Sequence, residues 1–199
     1  TNKIPLAQKR LTAEVCVHHL TFNDSHYAQK GSLIKCNPAI KSETDQNALW
    51  DALNNDLFDI VATDHAPHTW DEKQNKYGKA PSGLPLVQHS LQLMLEHAKT
   101  GKITTNKVIE KMCHAPADLF AIEKRGYLRE GYHADIVIIN PETQMEVSKS
   151  NILYKCAWSP LEGETFTTAI EQTIVSGHVA YSNGQFNEDK KGERLTFSR

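Results

Sequence analysis

Five consecutive residues, Asp64-His65-Ala66-Pro67-His68, hold the densest chemistry in the sequence. A carboxylate at the end of a strand can ligate a divalent cation through one oxygen and accept a proton through the other. The cation lowers the pKa of bound water towards neutrality, and a carboxylate beside that water is placed to take its proton as it attacks a carbonyl carbon. The plainer reading is an Asp that caps a turn, followed by two surface histidines. Spacing alone leaves both open, because five residues do not by themselves enclose an ion.

Other candidates are more dispersed. His18 and His19 follow an apolar run; on a continuing strand they point to opposite sides, so at most one reaches a shared site, and otherwise they are a structural or solvent-facing pair. Asn37-Pro38 either presents an amide to a polar substrate or starts a turn. Ser82-Gly83 leaves backbone N–H groups open to an anionic or carbonyl ligand, or simply turns the chain. His26, His89, His97, His114, His133 and His178 share no spacing and read as structural. Cys16, Cys36, Cys113 and Cys156 form no CxxC pair, which excludes a zinc finger or a disulfide framework and points to a reducing, cytoplasmic setting. Neither Cys36 nor Cys113 has an activating neighbour in sequence.

The elements that must position these groups follow from the apolar pattern. Residues 11–17 and 57–63 read as short buried strands, the second running straight into Asp64. Between them Ser42-Glu-Thr-Asp45 has capping-box spacing and predicts a helix of about three turns through Trp50 and Leu53. Leu84, Val87, Leu91, Met94 and Ala98 alternate spacings of three and four, predicting another helix; Thr104 or Thr105 caps a third through Met112, and Pro116 opens a further turn. From Gly126 the runs become short and β-like, notably residues 134–139 and 173–181, and Asn183-Gly184 is a hairpin signal or the close of the preceding strand. We place a boundary near residue 122, giving parts 1–122 and 123–199. Strand-helix alternation with polar residues at strand ends is the rhythm of a (β/α) barrel or an open α/β sheet, although only two such units occur where a full barrel has eight.

The composition excludes several classes. A chain of 199 residues with 39% hydrophobic and 23% charged residues can bury a core and is not disordered. Its apolar bursts fall far short of the roughly 20 residues of a membrane span, at a mean hydropathy of −0.51. With 22 basic and 24 acidic residues it has no charge surplus for nucleic acid. The opening Thr-Asn-Lys-Ile-Pro is neither a signal peptide nor an initiator, so the chain reads as starting inside a longer protein.

Taken in order, residues 14–20 (EVCVHHL), 37–41 (NPAIK) and 62–68 (ATDHAPH) resemble the last barrel segments of a dihydroorotase of the longer type, in the amidohydrolase superfamily. Residues 71–73 (DEK) and 79–83 (KAPSG) are similar to the loop that follows, and residues 131–137, 158–163 and 173–177 to the closing β-domain, so the likeness covers nearly the whole chain. It implies an α/β fold: the C-terminal part of a (β/α)8 metal-dependent hydrolase barrel, of the TIM type, with strands seven and eight, followed by the C-terminal share of a small β-sandwich domain.

The resemblance also implies zinc-dependent, reversible hydrolysis of dihydroorotate to N-carbamoyl-L-aspartate in pyrimidine biosynthesis. Asp64 would be the catalytic, metal-ligating carboxylate; Asn37, His68, Ser82 and Gly83 would bind substrate. Ser82, Ala39 and Lys41 depart from the usual residues, and no His-x-His occurs, so most ligands of a binuclear zinc centre would lie outside these residues and the isolated chain would be inactive. The implied partners are the N-terminal part of the barrel, a second copy in a homodimer, and aspartate transcarbamoylase. The competing readings are a hydantoinase or allantoinase type of cyclic amidohydrolase, and a non-catalytic scaffold for the transcarbamoylase.

Overall fold

The computed structural model describes residues 4–198 and shows a mixed α/β protein. The two apolar runs of the first part form strands β1 (Glu14–Cys16) and β2 (Ile60–Ala62), paired in parallel with Val15 opposite Val61. They are shorter than the runs that feed them. At one end buried Asp59 replaces the ladder, its carboxylate accepting from the Ala13 N–H at 2.9 Å and from Lys9 Nζ at 2.5 Å. At the other, the chain leaves β1 directly into the helical turn α1 (Val17–Thr21).

A short α2 (Tyr27–Lys30) leads to α3 (Glu43–Asn54), the three-turn helix expected from the capping box. Ser42 Oγ accepts from the Asp45 N–H, and the Asp45 carboxylate accepts from the Ser42 N–H. Gln46 and Trp50, one turn apart on its inner face, both donate to the Leu20 carbonyl at 3.0 Å and so hold α1 against α3. After α4 (Trp70–Lys73), α5 spans Ser90–Lys99 and not the longer stretch from Leu84. Pro85 disfavours helical torsions at Leu84, which instead bridges His65 in parallel, and Val87 is left exposed.

Helices α6 (Thr105–Ile109) and α7 (Ala115–Leu119) are joined without a break by a wide π turn, Glu110–His114. Pro116 brings no N–H to the Met112 carbonyl, and the wider turn precedes the residue whose ring would meet that carbonyl in a regular helix. No helix among the described residues is long and apolar enough to cross a membrane.

The second part is mainly β, as its punctuation predicts. β3 (Ile136–Asn140), β6 (Ala169–Val175), β7 (His178–Ser182) and β8 (Gln185–Phe186) form an antiparallel sheet in the order β3-β6-β7-β8, while β4 (Met145–Glu146) and β5 (Thr165–Phe166) pair separately. The run 173–181 is two strands, not one. Ser176 and Gly177, at φ 49° and 79°, make a two-residue turn between β6 and β7; Asn183 and Gly184, at 47° and 86°, repeat it between β7 and β8.

The principal core is built from both parts. Val15, Val17, Leu20, Ile34, Trp50, Leu53, Leu84, Leu86, Met94 and Val108 join Val147, Leu161 and Phe166 in one buried cluster. Segment 145–168 therefore seals the first part, while the strands of the four-stranded sheet contain no fully buried residue.

Candidate functional site

Asp64 stands two residues beyond β2, in the left-handed region at φ 43°. Asp tolerates this region better than bulkier residues do. Its exposed carboxylate lines a cavity of about 630 Å³ together with Asn37, Cys16, His19 and Lys41. Three of the sequence candidates, Asp64, Asn37 and His19, thus share one cavity, and Lys41 sets a cation there against Glu14 and Asp45. Burial, reinforced by Asp64 and Glu14, pushes the Cys16 thiol up to about 12, and burial pushes that of Cys36 up to about 11. Both thiols are therefore protonated at neutral pH and neither is an activated nucleophile.

His68, Ser82 and Gly83 are brought together a short way along the same loop. His68 Nε2 donates to the Ser82 carbonyl at 3.0 Å, and its Nδ1 lies 3.9 Å from the Glu72 carboxylate. The Glu72 carboxyl is held below its ordinary range by the N–H and hydroxyl of Thr69, with His68 adding to the effect. Gly83 lies at φ 138°, where a Cβ would stand 2.6 Å from the Ala66 carbonyl oxygen and 2.7 Å from the Ala66 Cβ. Only glycine lets the two segments run this close. Gly83→Ala is expected to destabilise the chain by at least about 2 kcal/mol, whereas Gly78→Ala, which meets nothing within 4 Å, should stay within about 0.5 kcal/mol of wild type in urea unfolding. Equal midpoints for the two variants would contradict the close approach.

Lys73 is the residue that the sequence pattern did not single out. It is fully buried, and its ammonium donates to the carbonyls of Gly83 (2.9 Å), Pro81 (3.0 Å) and Lys35 (3.3 Å). It also faces the ring of Trp158, whose Nε1 donates to the His68 carbonyl at 2.7 Å. One side chain thus fixes the Ser82-Gly83 segment and, through Trp158, the backbone of His68. Burial lowers the Lys73 pKa to about 8. In sequence it is an ordinary lysine on a polar loop, and its cage is assembled from distant carbonyls.

His65 has a structural task. Its Nδ1 accepts from the N–H groups of Leu86 and Val87 at 3.1 and 3.3 Å, and its ring packs on Tyr154. It ties the Asp64–His68 loop to the approach to α5.

The expectation that His18 and His19 face opposite sides of a strand is overturned: both lie on α1, with ring centroids 4.3 Å apart. Cys16 completes a group with them in which one donor atom from each residue lies within 4.8 Å of the others. Among the described residues this is the one group of three His, Cys, Asp or Glu arranged to hold a cation, and Asp64 is not part of it.

Comparison with known proteins gives a consistent picture. The sequence profile of the amidohydrolase family matches residues 3–180. A dihydroorotase of Clostridium acetobutylicum is 33% identical over 174 residues, covering 87% of this chain and 41% of that protein. A dihydroorotase of Pyrococcus furiosus is 33% identical over 185 residues, covering 93% and 43%. Among solved structures, the L-hydantoinase (dihydropyrimidinase) of Arthrobacter aurescens superposes with a TM-score of 0.86 at 27% identity, covering 93% of this chain and 42% of that one. A D-hydantoinase from Thermus sp., at TM-score 0.78 and 20% identity, shares the fold over 88% of this chain and 40% of its own. The chain spans about two-fifths of the length of the curated relatives it matches.

Proposed function

The chain belongs to the amidohydrolase family, and from that premise we propose that it is the C-terminal share of a dihydroorotase, opening the cyclic amide ring of dihydroorotate to N-carbamoyl-L-aspartate in pyrimidine synthesis in the cytoplasm. The observation that carries this reading is the 33–35% identity to dihydroorotases over 76–93% of the chain. In this proposal residues 1–122 are the last segments of the barrel, strands seven and eight among them, and 123–199 the C-terminal share of the β-sandwich domain. Asp64 takes the proton of the attacking water and returns it to the departing ring nitrogen. Asn37 binds the substrate from the same cavity, and His68, Ser82 and Gly83 bind it from the adjoining loop.

The family's binuclear zinc centre needs several ligands, and Asp64 is the one that these residues contribute; alone they do not fit a two-metal centre. The chain by itself is expected to show no hydrolysis of dihydroorotate, and a polypeptide that also carries the upstream barrel segments is expected to show it. A homodimer, and association with aspartate transcarbamoylase, are proposed for that longer polypeptide.

The hydantoinase fold neighbours supply the second reading, a cyclic amidohydrolase acting on hydantoin or allantoin. Assaying the longer polypeptide on dihydroorotate, hydantoin and allantoin in parallel separates the cases. Preference for dihydroorotate supports the proposal, preference for either other ring supports the second reading, and no turnover of any ring points to the scaffold role.

A further inference from the structure

We propose that Cys16, His18 and His19 form a site for a single borderline-soft divalent cation of the zinc type, separate from Asp64. The three residues sit where β1 passes into α1, and this turn folds positions i, i+2 and i+3 onto one another. Their donor atoms lie within 4.8 Å of each other. A tetrahedral ion with bonds of 2.0–2.3 Å holds its ligands about 3.5 Å apart, so side-chain rotations closing the group by roughly an ångström complete the coordination.

His18 supplies the independent observation. It is 1% exposed, and neither ring nitrogen has a hydrogen-bond partner among the described residues. A buried imidazole left unpaired is destabilising, and an ion at this group satisfies one nitrogen. The Thr63 carbonyl lies beside the ring and is the acceptor at hand for the other.

The other two ligands are prepared in the way metal sites require. His19 Nε2 lies 2.9 Å from the Pro38 carbonyl oxygen, which can only accept, so Nε2 carries the proton and Nδ1 keeps its lone pair. A carbonyl that fixes the tautomer of a ligating histidine is the usual supporting contact. Cys16 gives up its thiol proton to solvent as the sulfur–metal bond forms, and the carboxylates of Asp64 and Glu14 that disfavour a free thiolate favour the incoming cation. One sulfur and two nitrogens select zinc, or cobalt in its place, over magnesium or calcium. Cys16 and His19 also line the cavity that holds Asp64, which leaves the fourth position to water or to a ligand oxygen.

Cobalt titration of the metal-free 199-residue chain is the test. One equivalent of Co2+ should give tetrahedral d–d absorption with a thiolate-to-cobalt charge-transfer band, and Zn2+ should displace both. Cys16→Ser should abolish the charge-transfer band, and His18→Gln should weaken binding at least about tenfold. At saturating Co2+, Asp64→Asn should leave the spectrum unchanged although the affinity falls, and Cys36→Ser should keep the band. Absence of the band in the wild type overturns the proposal, as does a band that survives Cys16→Ser or is lost in Asp64→Asn. Circular dichroism reports whether each variant folds; if His18→Gln does not, the Cys16→Ser spectrum decides.

Discussion

Asp64→Asn, introduced into the polypeptide that carries the rest of the barrel, lowers kcat for dihydroorotate hydrolysis by at least about a hundredfold, with the fold intact. Asn has nearly the same shape as Asp but neither accepts a proton from the attacking water nor returns one to the ring nitrogen. Asp64 is exposed at the mouth of the Asn37 cavity and packs in no core cluster, so the substitution leaves the fold nothing to repair. His68→Ala has a different signature. It removes a substrate contact and raises KM, with a loss of kcat only if the contact tightens in the transition state. His65→Ala acts through stability, because it frees the N–H groups of Leu86 and Val87. Steady-state kinetics on the three variants, paired with thermal unfolding, sort these roles. Near-normal kcat for Asp64→Asn would remove Asp64 from the chemistry.

The second large effect is acid destabilisation of the metal-free chain through His89, which is buried, and His97, which is half-buried. Tyr154 Oη accepts from the Gln88 N–H and lies 3.3 Å from His89 Nδ1, while the His89 ring stacks on Phe166. Charging the ring would put a positive charge on an imidazole whose Nε2 is buried without a hydrogen-bond partner among the described residues. His97 sits edge-on to Trp50, with Thr21 Oγ1 3.1 Å from its Nε2. Burial lowers both from 6.5 to about 4, with Lys102 lowering His97 further and Glu96 opposing it.

The unfolded chain takes these protons near pH 6.5 and the native chain refuses them until about pH 4, so the unfolded state binds more protons between those values. Stability is therefore complete above pH 6.5 and is lost as the pH falls. At about 1.4 kcal/mol per pH unit per group, the two together cost at most about 4 kcal/mol between pH 6.5 and 5. Urea midpoints at pH 7 and pH 5 measure this loss, to which His18, lowered by burial to about 3, adds a further share, and His97→Gln should remove about a third of the difference. Equal midpoints at the two pH values would mean that both rings charge freely in the folded state.

Much of the local structure was legible in the chain because its causes lie within a few residues of one another. The capping box at Ser42 needs only Asp45, the turn at Asn183-Gly184 needs only residues that accept positive φ, and the β character of the second part follows from its spacing of glycines and β-branched runs. The proposed site residues Asp64, Asn37 and His68 stand out in the sequence because motif residues lie close together along the chain. Where two local rules competed, the reading slipped. The apolar period from Leu84 suggests helix, but Pro85 and the hydrogen bonds that the Leu86 and Val87 N–H groups donate to His65 hold that stretch open until Ser90.

Only the tertiary structure decided which of these groups meet. His18 and His19 share one face of a site because the chain turns into a helix at Val17 instead of continuing the strand, and a single residue's change of backbone state converts opposite sides into neighbours. Lys73 became the anchor of the Ser82-Gly83 segment because three carbonyls, from residues 35, 81 and 83, converge on it. Gly83 is obligatory because the Ala66 backbone passes within contact of it. The sequence specified the turn chemistry and the reactive side chains, whose energetics are set by near neighbours along the chain. Burial, pairing and the sharing of a cavity depend on segments tens of residues apart, and these are fixed only when the core closes over them.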